Sequence, residues 1–167
     1  ILITTKTIGE FNIENLVMVY AFLRNIAFEP NNIKKVFKSL KNASGRLQVI
    51  KKKSRYFIID YAHSPDALEK LLISVRNITN SNTQKLICIF GCGGDRDMSK
   101  RVIMGRVSKK YSDQIIITND NPRFENPQKI RRDIKKGIKK KRITEISNRA
   151  IAIKKAIHNL NSGDILL

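Results

Sequence analysis

The sequence has 167 residues, 41% of them hydrophobic, which is enough for one domain with a substantial core or for one domain and a piece of another. Its Lys and Arg residues number 33 against 14 Asp and Glu, and the formal net charge is +19. Its 2 cysteines exclude a disulfide scaffold, and neither a membrane-length apolar run nor a leader-like start is seen, so we expect a cytoplasmic protein without a membrane partner.

The first 45 residues predict two helices followed by a boundary. Apolar residues at helical spacing predict a helix over Asn12–Phe28. Proline near a first helical turn favours a second helix over Pro30–Lys41. The cluster Asn42–Gly45 is typical of a turn, and we place a domain boundary there.

From Arg46 onward, short strands alternate with helices. The predicted strands are Leu47–Lys51, Tyr56–Asp60, Lys85–Phe90, Gln114–Thr118, Arg142–Ile146 and Asp164–Leu167. The predicted helices are Pro65–Asn77, Lys100–Tyr111, Pro127–Lys140 and Arg149–Leu160. Ser64 and Asn126, each followed by proline, are predicted helix N-caps, and so is Ser99. The alternation predicts an α/β fold with a doubly wound, mostly parallel sheet.

The tetrapeptide at positions 120–123 follows the predicted strand Gln114–Thr118, and ligands bind beyond the carboxyl ends of such strands. Asp120 and Asn121 supply short polar side chains, and Pro122 stiffens the turn. Arg123 carries a planar fork that matches a carboxylate. These residues suit a site for a small zwitterion. An ordinary Asx-Pro turn with a solvated arginine is the alternative.

The segment Gly91–Asp97 follows another predicted strand, and its glycines allow a backbone to approach a ligand closely. It lacks the Gly-Lys-Ser/Thr ending of a P-loop and the third glycine of the dinucleotide fingerprint. Arg96 is its candidate binding residue, and pairing with Asp95 or Asp97 is the alternative. The segment therefore predicts a ligand-facing loop without specifying the ligand.

A third polar corner, Asp60–Ala67, lies at a strand-to-helix junction. His63 could donate to a nucleotide near the helix N-terminus, or it could be a capping or solvated histidine. Asp60 could accept hydrogen bonds from ribose hydroxyls. If the strands are adjacent, the corners after Asp60, Phe90 and Thr118 converge on one crevice.

The basic composition has two interpretations. One is nucleic-acid binding, and the other is an ordinary surface with a Lys-, Ile- and Asn-rich residue bias. Basic runs occur only at Lys51–Lys53 and Lys135–Arg142, without interleaved aromatic residues, which favours the second. His63 and His158 are too scattered to complete a metal site with the cysteines, so we expect no bound metal in this chain.

These segments together resemble the Mur ligase family, in particular the members that add meso-diaminopimelate to UDP-N-acetylmuramoyl-L-alanyl-D-glutamate. The resemblance covers essentially the whole chain. The matching motifs, in the family's order and spacing, are Gly9–Asn15, Gly45-Arg46, Asp60–Leu68, Phe90–Asp97 and Asp120–Arg123.

The resemblance implies an ATP-dependent amide-bond ligase of peptidoglycan precursor synthesis that acts through an acyl phosphate, with Mg²⁺ as a cofactor. Its partners would be small molecules: ATP, meso-diaminopimelate and the UDP-N-acetylmuramoyl-dipeptide. Residues 1–44 would be the tail of the central ATPase domain, and 45–167 most of a Rossmann-like C-terminal domain. Because the sequence runs from Ile1 to Leu167 and lacks the family's Gly-Lys-Thr loop and Lys-Gly-His-Glu segment, we expect an inactive fragment of a longer enzyme.

The resemblance also implies roles for single residues. Asn121 and Arg123 would clamp diaminopimelate, with Asp120 and Pro122 shaping the clamp, and Arg96 would contact a carboxylate of the ligand. Because lysine lacks the second carboxylate and lysine-adding relatives lack this arginine, Arg123 argues against lysine as substrate.

A second group would face the nucleotide near the domain junction: Asn12, Asn15, Arg46, Asp60 and His63. No residue of this chain is assigned to catalysis. The sequence departs from the family at Met98-Ser99 and Val102, where Lys-Gly and Pro are usual, and at Gln48, where an acid is common.

Two other functions stay open at this point. A basic α/β module that binds nucleic acid would show steeply salt-dependent affinity for oligonucleotides. A folate polyglutamate synthase of the same superfamily would have no need for the fork of Arg123.

Overall fold

The structure is a computed structural model that describes residues 2–7, 9–79, 83–139 and 143–167. Its helices are α1 (Glu10–Asn25), α2 (Pro30–Ser39), α3 (Pro65–Asn77), α4 (Ser99–Tyr111), α5 (Pro127–Lys136) and α6 (Arg149–Asn159). Its strands are β1 (Gln48–Lys52), β2 (Arg55–Ile59), β3 (Leu86–Phe90), β4 (Gln114–Ile117), β5 (Ile143–Glu145) and β6 (Ile165–Leu166). Each element expected from the sequence is present; α3 has the expected bounds, and the others have one or both ends shifted. Lys140 and Arg142, expected in the fifth helix and the fifth strand, lie outside the described residues.

The strands form one sheet in the order β1-β2-β6-β3-β4-β5. Only the hairpin pair β1–β2 is antiparallel among the described pairs, and the others are parallel, which confirms the mostly parallel α/β fold. The second and third strands are not adjacent, because β6 pairs with both of them and lies between them. Chain order alone could not show this insertion.

Alternating side chains of the central strands fill two cores, one on each face of the sheet. Leu86, Cys88 and Phe90 of β3 pack with buried residues of α3, α4 and α5. Ile87 points the other way and packs with Ala152 and other residues of α6. Because helices cover both faces, the sheet is doubly wound, and its strand ends stay free to form a ligand site.

The N-terminal turns of the helices follow the sequence signals in two of three cases. Ser64 Oγ accepts a hydrogen bond from the N–H of Ala67, and Asn126 Oδ1 accepts from the N–H of Gln128. The prediction that Ser99 caps α4 is wrong, because Ser99 is already helical. Met98 is the N-cap and makes no side-chain cap bond, whereas the carboxylate of Asp97 accepts both the N–H and the hydroxyl of Ser99, at 2.9 and 2.6 Å.

Leu47 was expected to open the first strand but instead lies just before it. Its φ of 43° is left-handed, and its side chain is 1% exposed. Its N–H donates to Asp60 Oδ2 at 2.7 Å, while its carbonyl accepts from Asn42 Nδ2. These bonds fix the turn that precedes the sheet. In the residues that the structure describes, no helix combines the length and apolar character needed to cross a membrane.

Candidate functional site

A crevice of about 870 Å³ lies at the carboxyl ends of the parallel strands. The corners after β2, β3 and β4 all line it, represented by Asp60, Gly91 and Asp120, and Leu167 lines it after the end of β6. The corners therefore converge even though β2 and β3 are not neighbours. The short β6 ends between them and does not fill the space above the sheet.

We call residues 120–125 the clamp loop. Asp120, Asn121 and Arg123 line the crevice, whereas Pro122 does not and instead accepts the N–H of Glu125 through its carbonyl. Arg123 has a φ of 48°, a conformation that non-glycine residues seldom adopt. The side-chain oxygen of Asn121 accepts the N–H of Arg123 at 3.1 Å, which supports this turn.

We call residues 91–97 the glycine loop. Hydrogen bonds join it to the clamp loop, and each loop supplies donors as well as acceptors. The N–H of Gly94 donates to the carbonyl of Asn121 at 2.9 Å, and Arg123 Nη1 donates to the carbonyl of Gly94 at 2.5 Å. The N–H of Phe124 donates to Asp95 Oδ2 at 3.1 Å. Because one guanidinium nitrogen is used in this way, the Nη2–Nε edge of Arg123 is left for a ligand.

A buried ion pair lies behind the two loops. The side chain of Arg101, on α4, is 0% exposed, and it donates to both oxygens of Glu125 at 2.9 and 2.6 Å. It also lies 3.4 Å from Asp133 of α5. The hydrogen bonds from Arg101 lower the pKa of Glu125 below its ordinary value, and the bond to Glu125 raises the pKa of Arg101. The pair is charged at neutral pH.

The crevice carries charges of both signs. Its cationic side chains are Arg96, Lys100, Arg123 and Arg149, and its carboxylates are Asp60, Asp97 and Asp120. No ion pair joins Arg96 to Asp95 or Asp97, so the described structure gives no support for that alternative. A lining of this kind can hold a ligand with several carboxylate and ammonium groups in one orientation.

A second cleft of about 540 Å³ adjoins the crevice, and all five residues expected to face a nucleotide line it. They are Asn12, Asn15, Arg46, Asp60 and His63. The guanidinium of Arg46 lies 4.7 Å from the ring centroid of Tyr61, whose ring is 5.1 Å from that of His63. The segment 60–63 lines both cavities and is the wall between them.

The wall is held in place by its own hydrogen bonds. The two carboxylate oxygens of Asp60 accept the N–H groups of Leu47 and Ala62, each at 2.7 Å. Lys100 Nζ donates to the carbonyl of His63 at 3.1 Å. Asp60 therefore fixes the backbone, and since a carboxylate has about four lone-pair sites, it keeps capacity to accept from a ligand.

Cys88 lines the crevice and Cys92 lies in the glycine loop, and both thiols are free and buried. Burial raises the pKa of Cys88 to about 12 and that of Cys92 to about 11, although Lys100 and Arg101 act against the second shift. We expect neither thiol to react with Ellman's reagent within minutes at about pH 8, because the thiolate is the reactive form. Both should react once the chain is denatured. Rapid labelling of the folded chain would show that one thiol is accessible.

Comparisons with known proteins agree with this arrangement. The family described as "Mur ligase, glutamate ligase domain" matches residues 45–167. The chain belongs to the Mur ligase family. Among its relatives, the UDP-N-acetylmuramoyl-L-alanyl-D-glutamate–2,6-diaminopimelate ligase of Rickettsia prowazekii is 44% identical over 163 residues, covering 98% of the chain and 33% of the relative. The ligase of the same name from Wigglesworthia glossinidia brevipalpis is 45% identical over 167 residues, covering 99% and 33%.

A solved structure of a ligase with this name matches the present Mur ligase fold with a TM-score of 0.70 and 36% sequence identity. The match covers 98% of this chain and 34% of that one. The chain thus spans about a third of the length of the Mur ligases that it matches.

Four further residues of this Mur ligase chain, to which sequence analysis assigned no role, lie at or behind the crevice. Lys100 and Arg149 line the crevice, and Arg101 and Glu125 form the ion pair behind it. Lys100 and Arg101 are neighbours at the start of α4, yet only Lys100 lines the crevice, because successive helical residues point in different directions.

Proposed function

We propose that this chain is the amino-acid-binding part of an ATP-dependent ligase that adds meso-diaminopimelate to the D-glutamate of UDP-N-acetylmuramoyl-L-alanyl-D-glutamate. Relatives at 44% and 45% identity carry the name of that ligase. The observation that carries the proposal is the placement of Arg123 in a crevice lined by charges of both signs, with one guanidinium edge left for a ligand. The reaction belongs to peptidoglycan precursor synthesis.

The crevice suits diaminopimelate better than lysine. Diaminopimelate carries two carboxylates and two ammonium groups, and lysine lacks the second carboxylate. When lysine binds, the Nη2–Nε edge of Arg123 meets no carboxylate, so lysine lacks the affinity that this contact adds for diaminopimelate. We assign that carboxylate to Arg123 with Asn121, and the other to Arg96, with Asp120 among the groups that face an ammonium.

The second cleft is the proposed place for ATP. Amide and guanidinium groups from α1 and from the turn before β1 line it, and polar donors of this kind suit a nucleotide. The shared wall at 60–63 would hold the two ligands side by side. The chain's contribution to catalysis is then positioning: it keeps the attacking amine close to the glutamyl acyl phosphate and aligned with it.

The domain division at residue 44/45 is also part of the proposal. The family match begins at residue 45. Helix α1 has no buried residue in the described structure, and large apolar side chains such as Val17, Met18 and Phe22 are exposed on it. Such a helix is suited to packing against a larger body, here the central ATPase domain.

Magnesium is not assigned to this chain. No group of three or more His, Cys, Asp or Glu residues within the described ranges could hold a metal ion. A magnesium ion that accompanies ATP is held largely by phosphate oxygens and water, so it does not require such a group. We place the protein in the cytoplasm, where its nucleotide-linked substrates are found, and we assign it neither a nucleic-acid nor a membrane partner.

The proposal is tested with the longer ligase that contains this chain. ADP release is measured with ATP, the UDP-N-acetylmuramoyl-dipeptide and either meso-diaminopimelate or L-lysine. We expect kcat/KM to favour meso-diaminopimelate by at least about a hundredfold, because a site built around a polar group rejects the analogue that lacks it. Equal use of lysine would refute the proposed specificity. The 167-residue chain alone should release no ADP, since it contains no Gly-Lys-Thr loop.

A further inference from the structure

We propose that Arg101 is a positioning residue for the amino-acid site: by holding Glu125, it sets the clamp loop in the shape that presents Arg123 to the ligand. The inference rests on the proposed function and adds to it a residue that lies outside the crevice. The side chain of Arg101 is 0% exposed and is not among the residues that line the cavity. Its effect on the ligand is therefore indirect, and Glu125 is the contact of Arg101 that belongs to the clamp loop.

The clamp loop needs external support because its backbone is disfavoured at the key residue. Arg123 and its neighbour Asp95 have φ values of 48° and 49°, in the left-handed region that non-glycine residues rarely occupy. Such conformations persist only where surrounding contacts overdetermine them. A relaxed Arg123 would move its guanidinium relative to Gly94, whose carbonyl now accepts Nη1 at 2.5 Å.

Glu125 is the residue at which those contacts meet. Its Oε1 accepts the N–H of Asp95 at 2.6 Å and also accepts Nη2 of Arg101 at 2.6 Å. Asp95 in turn accepts the N–H of Phe124, the residue after Arg123. A continuous set of hydrogen bonds therefore runs from α4 through Glu125 and Asp95 to Phe124, the residue that follows Arg123.

Arg101 suits this role because its fork binds both oxygens of Glu125 and fixes the carboxylate plane. It also lies 3.4 Å from Asp133, which has a second cation in Lys136 at 2.6 Å. Without Arg101, the carboxylates of Glu125 and Asp133 would have no shared cation and would repel each other. Glu125 would then turn toward water. The bond to the N–H of Asp95 would then be lost.

The test compares variants of the longer ligase in steady-state assays. Arg101→Met removes the fork but keeps most of the volume, and we expect it to raise the KM for meso-diaminopimelate about tenfold. The KM for ATP should change less than about twofold, because the second cleft does not contact Arg101. Arg101→Lys keeps the charge without the fork, so its KM for meso-diaminopimelate should lie between the values for the wild type and for Arg101→Met. If Arg101→Met fails to fold, Glu125→Gln tests the same link.

A matched control is Arg76→Met. Arg76 forms an equally short pair with Asp113, at 2.6 Å, but at the amino ends of β3 and β4, away from the crevice. We expect this variant to lose thermal stability without a change in the KM for meso-diaminopimelate. Hydrogen exchange should also accelerate at the amides of Asp95 and Phe124 in Arg101→Met and not in the control.

The outcomes separate the inference from the proposed function. If the wild-type ligase does not use meso-diaminopimelate, the proposed function fails. If it does, and a folded Arg101→Met variant keeps the wild-type KM for that amino acid, the positioning role of Arg101 is refuted. Equal rises in the KM for ATP and for the amino acid would also refute it, because they would indicate general loosening of the fold.

Discussion

Replacing Arg123 by alanine in the longer ligase is expected to raise the KM for meso-diaminopimelate by at least about tenfold. The variant loses a charge-assisted, two-pronged contact with a carboxylate, and such contacts contribute about 1.5–3 kcal/mol. The Nη2–Nε edge of the guanidinium is the part that we assign to the ligand, because Nη1 already donates to Gly94. Steady-state kinetics at saturating ATP measure the change.

Two comparisons make the Arg123 experiment specific. Arg123→Lys keeps the charge but not the fork, so its KM for meso-diaminopimelate should lie between the values for the wild type and for Arg123→Ala. L-lysine lacks the carboxylate that we assign to Arg123. The low kcat/KM for L-lysine should therefore differ by less than about twofold between the wild type and Arg123→Ala. An unchanged KM for meso-diaminopimelate would remove Arg123 from the site.

Gly94→Ala is expected to have a larger effect than the change of any single ligand contact. A Cβ at Gly94 would overlap the carbonyl oxygen and carbon of Pro122, which belong to the backbone and cannot rotate away. The glycine loop and the clamp loop would have to separate, and displacements of about 1 Å in a positioned site can cost about a hundredfold in rate. We expect kcat/KM for meso-diaminopimelate to fall by about that factor.

Gly163→Ala is the matched control for Gly94. Gly163 precedes β6 and lies away from the crevice. Its φ of 88° makes alanine strained there, yet among the described residues a Cβ would meet only Gln84, at 3.9 Å. It should lower the melting temperature and leave the kinetics nearly unchanged. If Gly94→Ala is as active as the control, the close contact of the two loops is not required for binding.

The sequence predicted the α/β class and the order of elements because each signal was local. Proline after a capping residue marked the starts of α3 and α5, and apolar runs such as Gln114–Thr118 marked buried strands. Local signals do not specify which strands pair. The position of β6 between β2 and β3 depends on the path of α6 across the opposite face of the sheet, and that is a property of the whole chain.

The site was predictable in part for the same reason. Asn121, Arg123 and Arg96 come directly after strands, so their place in the crevice follows from the parallel topology. Arg101 was not predictable as a buried residue, since a Lys-Arg pair at the start of a helix usually faces water. Its burial depends on two carboxylates from distant parts of the sequence, Glu125 and Asp133.

The most direct test of the central claim is a crystal structure of the longer ligase with meso-diaminopimelate bound. We expect one carboxylate of the ligand to lie in the crevice, with both of its oxygens about 3 Å from Nη2 and Nε of Arg123. The other carboxylate should lie near Arg96. A complex in which Arg123 points into solvent and both carboxylates bind elsewhere would contradict the assignment of this crevice to diaminopimelate.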